Sequence, residues 1–222
     1  MKPSIVVILA LLGAAAAPRG ELRVKASPAV SPCAAATIPL FEQASGVRAS
    51  LQTGDVWGVT SVEGADVVVA VEEELTRVIE GGASRPDLDV DVARIPWVLL
   101  STRGEPAVDV QALERSAMRV LVLGGAVGRE ARKSLQSLSP DRVRTVRALD
   151  GPVRLDVGEA AVVPLSLAGP GHVSSLPIPP LLARAVGVRQ SPRPEAARAF
   201  LAFLTSERGA AAFSACGRED AR

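Results

Sequence analysis

The fold is decided by residues 21–55, ELRVKASPAVSPCAAATIPLFEQASGVRASLQTGD. Residues 22–26 have the length and composition of a strand, and residues 31–44 place apolar side chains at helical spacing before Gly46. A second strand is predicted at residues 47–51. A strand, a helix and a second strand in this order are typical of an open parallel sheet.

The helix in this stretch contains two prolines. Ser31 could cap its start, and Pro32 suits the first turn because an N–H there has no helical partner in any case. Pro39 lies further in, where it removes a backbone donor. We therefore expect a helix that is kinked at Pro39 or that starts only at about Thr37.

The rest of the chain continues the alternation of strands and helices. Strands are predicted at residues 66–70, 97–100, 119–123, 160–165 and 173–178, and helices at residues 72–80, 108–115, 127–138, 193–204 and 207–216. Residues 83–91 are polar and are predicted as a loop, whereas residues 181–186 fit either a strand or a helix. The fully apolar strands suit a mostly parallel sheet that is flanked by helices on both faces. The predicted fold class is therefore α/β.

The first residues have the pattern of a secretory signal. Lys2 precedes an apolar run at residues 5–12, and Ala14 and Ala16 supply the small residues of a cleavage site. We expect residues 1–16 to be removed, so that the mature chain is exported to the periplasm. The alternative is an uncleaved membrane anchor, although the run is shorter than the roughly 20 residues that span a bilayer.

Charge and aromatic content exclude two classes of ligand. Lysine plus arginine number 25 and aspartate plus glutamate number 24, so the chain lacks the basic surface of a nucleic-acid-binding protein. Tyrosine is absent and aromatic residues make up 3% of the chain. A stacking platform for bases, or an aromatic cleft for sugars, is therefore hard to build.

Two cysteines, Cys33 and Cys216, lie near opposite ends of the mature chain. An even number of cysteines in an exported chain favours a disulfide, here between the first helix and the C-terminal tail. The alternative is a pair of buried free thiols.

The sequence offers little for catalysis. His172 is the only histidine, it lies in a turn rich in Gly and Pro, and no G-x-S-x-G motif accompanies it. One histidine and two distant cysteines are too few ligands for a zinc site. We predict no catalytic residues, no metal and no cofactor, so the protein is not expected to be an enzyme.

Three strand ends could instead bind a small polar solute. Ser27 follows the first strand, and Thr53-Gly54-Asp55 follows the second. Gly124-Gly125-Ala126-Val127-Gly128 follows a later strand without the spacing of a dinucleotide-binding loop. Its backbone amides could hold an anion, and both glycine-containing segments could equally be simple turns. In open α/β sheets ligands bind beyond the carboxyl ends of strands, so we expect these segments to converge.

Four stretches of the chain resemble the periplasmic molybdate-binding protein family, one of the extracellular solute-binding proteins. They are residues 21–55, residues 63–82 (EGADVVVAVEEELTRVIEGG), residues 156–169 (DVGEAAVVPLSLAG) and residues 191–217 (SPRPEAARAFLAFLTSERGAAAFSACG). The last resembles the closing pair of helices of that family. Together the four stretches lie between about residues 21 and 217.

The resemblance implies a two-lobed fold of the type II periplasmic-binding-protein kind, with lobes from residues 21–95 plus 180–222 and from residues 96–179. It implies a monomer that closes on a small anion and delivers it to an ABC transporter permease. Ligand-binding positions carried over by the resemblance are Ser27, Thr53 with Gly54, Ala126 with Gly125, and Gly151.

The chain also departs from that family. The family's ligand tyrosine falls at Pro164, which has neither a hydroxyl nor an amide hydrogen, and Asp55 adds a negative charge to the second loop. Two functions follow. The first is the solute-binding component of an ABC importer for an oxyanion such as molybdate or tungstate. The second is an exported, non-catalytic interaction protein with a degenerate cleft.

Overall fold

The computed structural model describes residues 20–102, 110–125, 127–146, 153–169 and 171–216. In chain order its elements are β1 (Leu22–Ala26), α1 (Ser31–Ser45), β2 (Ala49–Thr53), β3 (Val67–Val71), α2 (Glu72–Glu80), β4 (Ser84–Ile95), β5 (Trp97–Ser101), α3 (Val110–Arg115), β6 (Arg119–Leu123), α4 (Arg129–Ser134), β7 (Val143–Val146), β8 (Glu159–Pro164), β9 (His172–Ser175), β10 (Leu181–Val188), α5 (Pro194–Thr205) and α6 (Glu207–Ala215).

The first lobe is built on a five-stranded sheet in the order β2-β1-β3-β10-β4. β1 pairs in parallel with β2 and β3, whereas β10 is antiparallel to both β3 and β4. Four of the five strands therefore run in one direction, as predicted for a mostly parallel sheet. The carboxyl ends of β1, β2 and β3 consequently meet at one edge of the sheet.

The second lobe repeats this plan with the order β7-β6-β8-β5-β9. β6 is parallel to β7 and β8, and β5 is antiparallel to β8 and β9. Pro96 alone separates β4 from β5, so the chain passes there directly from one sheet to the other. The predicted α/β fold with two lobes is confirmed.

Alternate residues of β3 show how the first sheet is covered. Val67, Val69 and Val71 belong to the large core shared with α1 and α5, and Val68 and Ala70 pack on the other face against α2. All five residues are buried, because helices lie on both faces. This explains why the strand is apolar throughout.

The helix α1 is continuous through Pro39, so the prediction of a start at about Thr37 is wrong. The preceding loop supplies a hydrogen-bond acceptor for its first turn, since the Ser27 carbonyl accepts from the Ser31 N–H at 2.9 Å. Thr37, Ile38 and Phe41 are buried around the proline, and this packing offsets the loss of one backbone hydrogen bond. The helix ends at Gly46, as predicted, and Gly46 has a left-handed conformation.

Residues 83–91 were predicted as a loop, and this is wrong because residues 84–91 belong to the strand β4. Its buried residues do not alternate regularly, since the pairing with β10 shifts register twice. Smaller differences occur elsewhere: β2 lies two residues later than predicted, and α4 is confined to Arg129–Ser134.

The disulfide predicted between Cys33 and Cys216 is present, with Cα atoms 5.0 Å apart across a sequence separation of 183 residues. It joins α1 to the residue that follows α6. In the described part of the chain, no helix has both the length and the apolar character needed to cross a membrane.

Candidate functional site

The carboxyl edge of the first sheet carries the first predicted site residues. Ala26 is in register with Thr53 on one side and with Val69 on the other. Ser27 and Gly54 are therefore the first residues beyond two neighbouring strands. The Gly54 N–H donates to the Ala26 carbonyl at 3.1 Å, which holds the two strand ends together.

Ser27 is fully buried at this edge. Its N–H donates to the Val69 carbonyl at 3.0 Å, and its own carbonyl accepts from the N–H groups of Val30 and Ser31. The backbone is thus held by hydrogen bonds on both sides. Its hydroxyl, in contrast, makes no hydrogen bond of ordinary geometry with the described residues, although the Glu74 carboxyl lies near it. A buried hydroxyl without a partner costs about 1–3 kcal/mol, and a solute oxygen could satisfy it.

Thr53 is partly buried, and its hydroxyl is already engaged. The Thr53 Oγ1 and Ser31 Oγ atoms lie 2.5 Å apart. Each hydroxyl can donate one hydrogen bond and accept two, so the pair keeps one free donor between them. This pair lies at the start of α1, where the helix dipole favours negative charge.

Glu74 lies at the candidate site, and the sequence interpretation missed it. It lies in the first turn of α2, is only 7% exposed, and its Oε2 atom has no hydrogen-bond partner among the described residues. Because β3 ends at Val71 on the same edge as β1, its side chain lies near the Ser27 hydroxyl. The only sequence signal for it was the run of three glutamates directly after a buried strand. Such a run is also typical of the solvent-exposed first turn of an ordinary helix.

The surroundings of Glu74 favour its neutral form. Burial raises the pKa of the Glu74 carboxyl above its ordinary value, although the nearby Ser27 hydroxyl and the Val71 backbone oppose this shift. The charges of Asp55 and Glu73 raise the pKa further.

The second lobe meets this edge at Gly125. A Cβ atom placed on Gly125 would lie 3.9 Å from Cζ2 of Trp57, which belongs to the loop after β2. Gly125 has φ of +73°, a conformation that favours glycine, and its carbonyl accepts from Arg132 Nη2 at 3.0 Å. The Arg77 guanidinium lies 5.1 Å from the centre of the Trp57 ring. Ala126 and Gly151, two other predicted ligand-binding residues, lie outside the described residues.

A second contact between the lobes involves the segment after Pro164. Pro164 ends β8 and is buried. Two residues later, the buried Ser166 Oγ donates to the Ala29 carbonyl at 2.6 Å. Position 166 therefore supplies a hydroxyl near the start of α1, but that hydroxyl is used for joining the lobes.

Two grooves border the strand β1. The larger has a volume of about 580 Å³ and is lined by Arg23, Arg189 and Arg193. The buried Asp66 lies under it and accepts from the Arg23 N–H (2.8 Å), the Ser191 hydroxyl (2.6 Å) and Arg193 Nη1 (3.2 Å). These contacts tie β1, β3 and the segment before α5 together. The grooves contain none of the predicted site residues.

A metal centre finds no support in the part of the chain that the structure describes, where no group of three or more His, Cys, Asp or Glu side chains could hold an ion. The candidate site is a set of hydroxyls and backbone groups with one buried carboxyl. Such a set can hold a small polar solute by hydrogen bonds.

The profile of the family described as bacterial extracellular solute-binding protein matches residues 22–219. No curated protein sequence matches the chain.

Three solved structures share the fold. The periplasmic molybdate-binding protein of Azotobacter vinelandii has a TM-score of 0.70 and 16% identity, with 87% of this chain and 96% of that chain covered. The sulfate-binding protein SubI of Mycobacterium tuberculosis has a TM-score of 0.67 and 17% identity, with coverage of 89% and 85%. Peb3 of Campylobacter jejuni has a TM-score of 0.66 and 11% identity, with coverage of 87% and 98%.

Proposed function

Because this chain belongs to the bacterial extracellular solute-binding protein family, we propose that it is the periplasmic solute-binding component of an ABC importer. Its solute is a small oxyanion such as molybdate or tungstate, held between the lobes by a monomer and passed to the permease. Residues 1–16 act as the export signal and are removed.

The observation that carries this proposal is the Ser27 hydroxyl, which is fully buried and unpartnered at the carboxyl edge of the first sheet. Oxyanions accept hydrogen bonds, and an unpaired buried donor gains most from one. Two structures of the same fold are described as molybdate-binding and sulfate-binding proteins, and this supports an oxyanion as the solute.

The proposed binding set draws on both lobes. Ser27, Thr53 and Gly54 belong to the first lobe, and Gly125, Ala126 and Gly151 belong to the second. Because the lobes are joined by short crossings such as Pro96, a solute that contacts both would hold them closed by a hinge motion.

The alternative function, an exported interaction protein with a degenerate cleft, is favoured by three observations. Pro164 offers neither a hydroxyl nor an amide hydrogen at its strand end. The Thr53 hydroxyl is engaged by Ser31, and Glu74 brings a carboxyl to the site. In that case no oxyanion should stabilise the protein.

Thermal unfolding of the mature protein separates the two functions. Molybdate, tungstate, sulfate, phosphate and chromate would each be added at increasing concentration. A ligand at about 100 times its Kd stabilises the folded state by about 2.7 kcal/mol, which raises the melting temperature by several degrees. No shift with any of these anions would contradict the oxyanion proposal.

Ser27→Ala provides the test of the site. The variant should keep its fold, since the hydroxyl has no partner to lose, but it should lose the stabilisation by oxyanion. Ser101→Ala is the matched control, because Ser101 is also buried and unpartnered but lies at the other end of the second sheet, in register with Ala160. If oxyanions stabilise the two variants equally, Ser27 is not part of the binding site.

A further inference from the structure

The larger of the two grooves beside β1 is separate from the candidate site. Its volume of about 580 Å³ is in the range of small-molecule sites, about 300–1,000 Å³. Its lining comes mainly from residues 63–65 before β3, residues 81–83 after α2 and residues 188–190 at the end of β10. Because β1 and β3 are parallel and Ser27 follows the carboxyl end of β1, the groove and the candidate site lie at opposite ends of these strands.

Part of this groove is apolar. Val62, Ala65 and Val188 line it and belong to the small buried core that α2 shares with β3 and β10. Val59, in the loop between β2 and β3, lines it too and is 44% exposed, one of three large apolar side chains that the described residues leave exposed. Its Cγ2 atom packs against Gly81, where an added Cβ would lie only 2.6 Å away. A ligand with an apolar body would remove this surface from water, which favours binding.

Three guanidinium groups, those of Arg23, Arg189 and Arg193, line the same groove. The Arg23 side chain is exposed and makes no hydrogen bond or ion pair with the described residues. Arg189 Nε donates to the Ser84 carbonyl at 3.4 Å, and Arg193 Nη1 contacts Asp66 at 3.2 Å. A guanidinium has five N–H donors, so all three groups keep donors for a ligand.

The charges around the groove favour a ligand with one negative charge. Two carboxylates, Glu63 in the lining and Asp66 beneath it, oppose the three guanidinium groups. One positive charge is therefore in excess, and a monoanion balances it. A carboxylate can accept two parallel hydrogen bonds from one guanidinium. A phosphate monoester carries about 1.5–2 negative charges near neutral pH and exceeds this balance.

We propose that this groove is a second ligand site, which binds a small monocarboxylate with an apolar body. The free guanidinium of Arg23 binds the carboxylate, and Arg189 and Arg193 add to the positive charge around it. The apolar body packs on Val59 and Val62. All of these residues belong to the first lobe, so binding requires no closure of the lobes and the inference does not depend on the oxyanion function.

Two-dimensional NMR of the mature, 15N-labelled protein tests this, with hexanoate, acetate, hexanamide and butyl phosphate as probes near neutral pH. We expect hexanoate to shift the amide signals of Gly64, Gly82 and Gln190, with a Kd of about 1 mM or below. Each buried methylene strengthens binding about fourfold, so acetate should bind at least about tenfold more weakly. Hexanamide has the same length without the charge and should also bind at least about tenfold more weakly.

Arg23→Ala removes the free guanidinium and should keep the fold, because Asp66 accepts from the backbone N–H of Arg23 and not from its side chain. The affinity for hexanoate should fall at least about tenfold. Arg94→Ala is the matched control, since Arg94 is an exposed arginine of β4 in register with Leu182, near the other end of β10. This control should bind hexanoate within about twofold of the wild type, because Arg94 does not line the groove.

Each outcome decides the inference. Saturable shifts at the three groove amides that Arg23→Ala weakens and Arg94→Ala does not weaken support it. Equal binding of hexanoate and hexanamide overturns it, as does the absence of saturable shifts at these amides up to about 20 mM hexanoate. Butyl phosphate that binds more tightly than hexanoate overturns the assignment of a monocarboxylate, since the charge balance would then be wrong.

Discussion

Removing the disulfide gives the most direct quantitative test of the fold. The bridge closes a loop with a sequence separation of 183 residues. Chain-entropy theory predicts that such a loop destabilises the unfolded state by about 5 kcal/mol relative to an open chain. The double variant Cys33→Ala, Cys216→Ala should therefore lose between about 2 and 5 kcal/mol of unfolding free energy.

The folded state should change little in this variant. α6 packs through the fully buried Phe213, and Ser206 caps its first turn by accepting from the Gly209 N–H at 3.2 Å. These contacts do not depend on the bridge. We therefore expect far-UV circular dichroism like that of the wild type, with the loss of stability arising mainly from the freer unfolded chain.

Urea unfolding of the oxidised wild type, the reduced wild type and the double variant measures the effect. At an m-value of about 2 kcal/mol/M, the midpoint should fall by about 1–2.5 M, and the m-value should rise because the unfolded chain is less compact. The reduced wild type serves as the control for the substitutions themselves. A loss of unfolding free energy below about 1 kcal/mol in both the reduced wild type and the double variant would refute the entropic argument.

Three further substitutions test the packing and the buried charges. Asp66→Ala should cost about 3–5 kcal/mol in urea unfolding, because it removes a fully buried carboxylate that holds Arg193 and two other donors. Phe41→Ala should cost about 3–5 kcal/mol, since its ring is buried edge-on against Phe200 at 5.0 Å, and a cost below about 1 kcal/mol would contradict that packing. Glu74→Gln should change the pH profile of melting: the raised pKa of the carboxyl makes the wild type lose stability as pH rises above 4.5, whereas the variant lacks this loss. Parallel profiles for the two proteins across this range would contradict the effect of burial on Glu74.

Much of the fold could be predicted because the local sequence of several elements indicates their type and their limits. β1, α2 and β6 have the predicted limits, since each is an uninterrupted run bounded by a turn, a glycine or a change of hydrophobic period. β4 could not be predicted in the same way. Its inward residues, including Leu88 and Val92, are irregularly spaced because the register with β10 shifts twice. Charged residues lie between them, so the sequence lacks the regular alternation that indicates a strand.

The candidate site was predicted in part for a related reason. Ser27 and Thr53 could be placed, because parallel strands bring their carboxyl ends to one edge. Glu74 and Trp57 could not, because their roles depend on which strands are neighbours and on how the second lobe meets the first at Gly125. Neither relation is encoded in the spacing of residues along one segment.

The sequence by itself determined the class of fold, the identity of most strands and helices, the pair of cysteines and the sheet edge at which Ser27 and Thr53 lie. These follow from hydrophobic periodicity, from proline and glycine, and from the geometry of parallel strands, all of which act over short stretches of chain. Tertiary structure alone decided that β10 lies between β3 and β4, that α1 continues through Pro39, and that a carboxyl lies beside Ser27. These depend on contacts between segments far apart in sequence, whose free energy is gained only when the whole core is buried together.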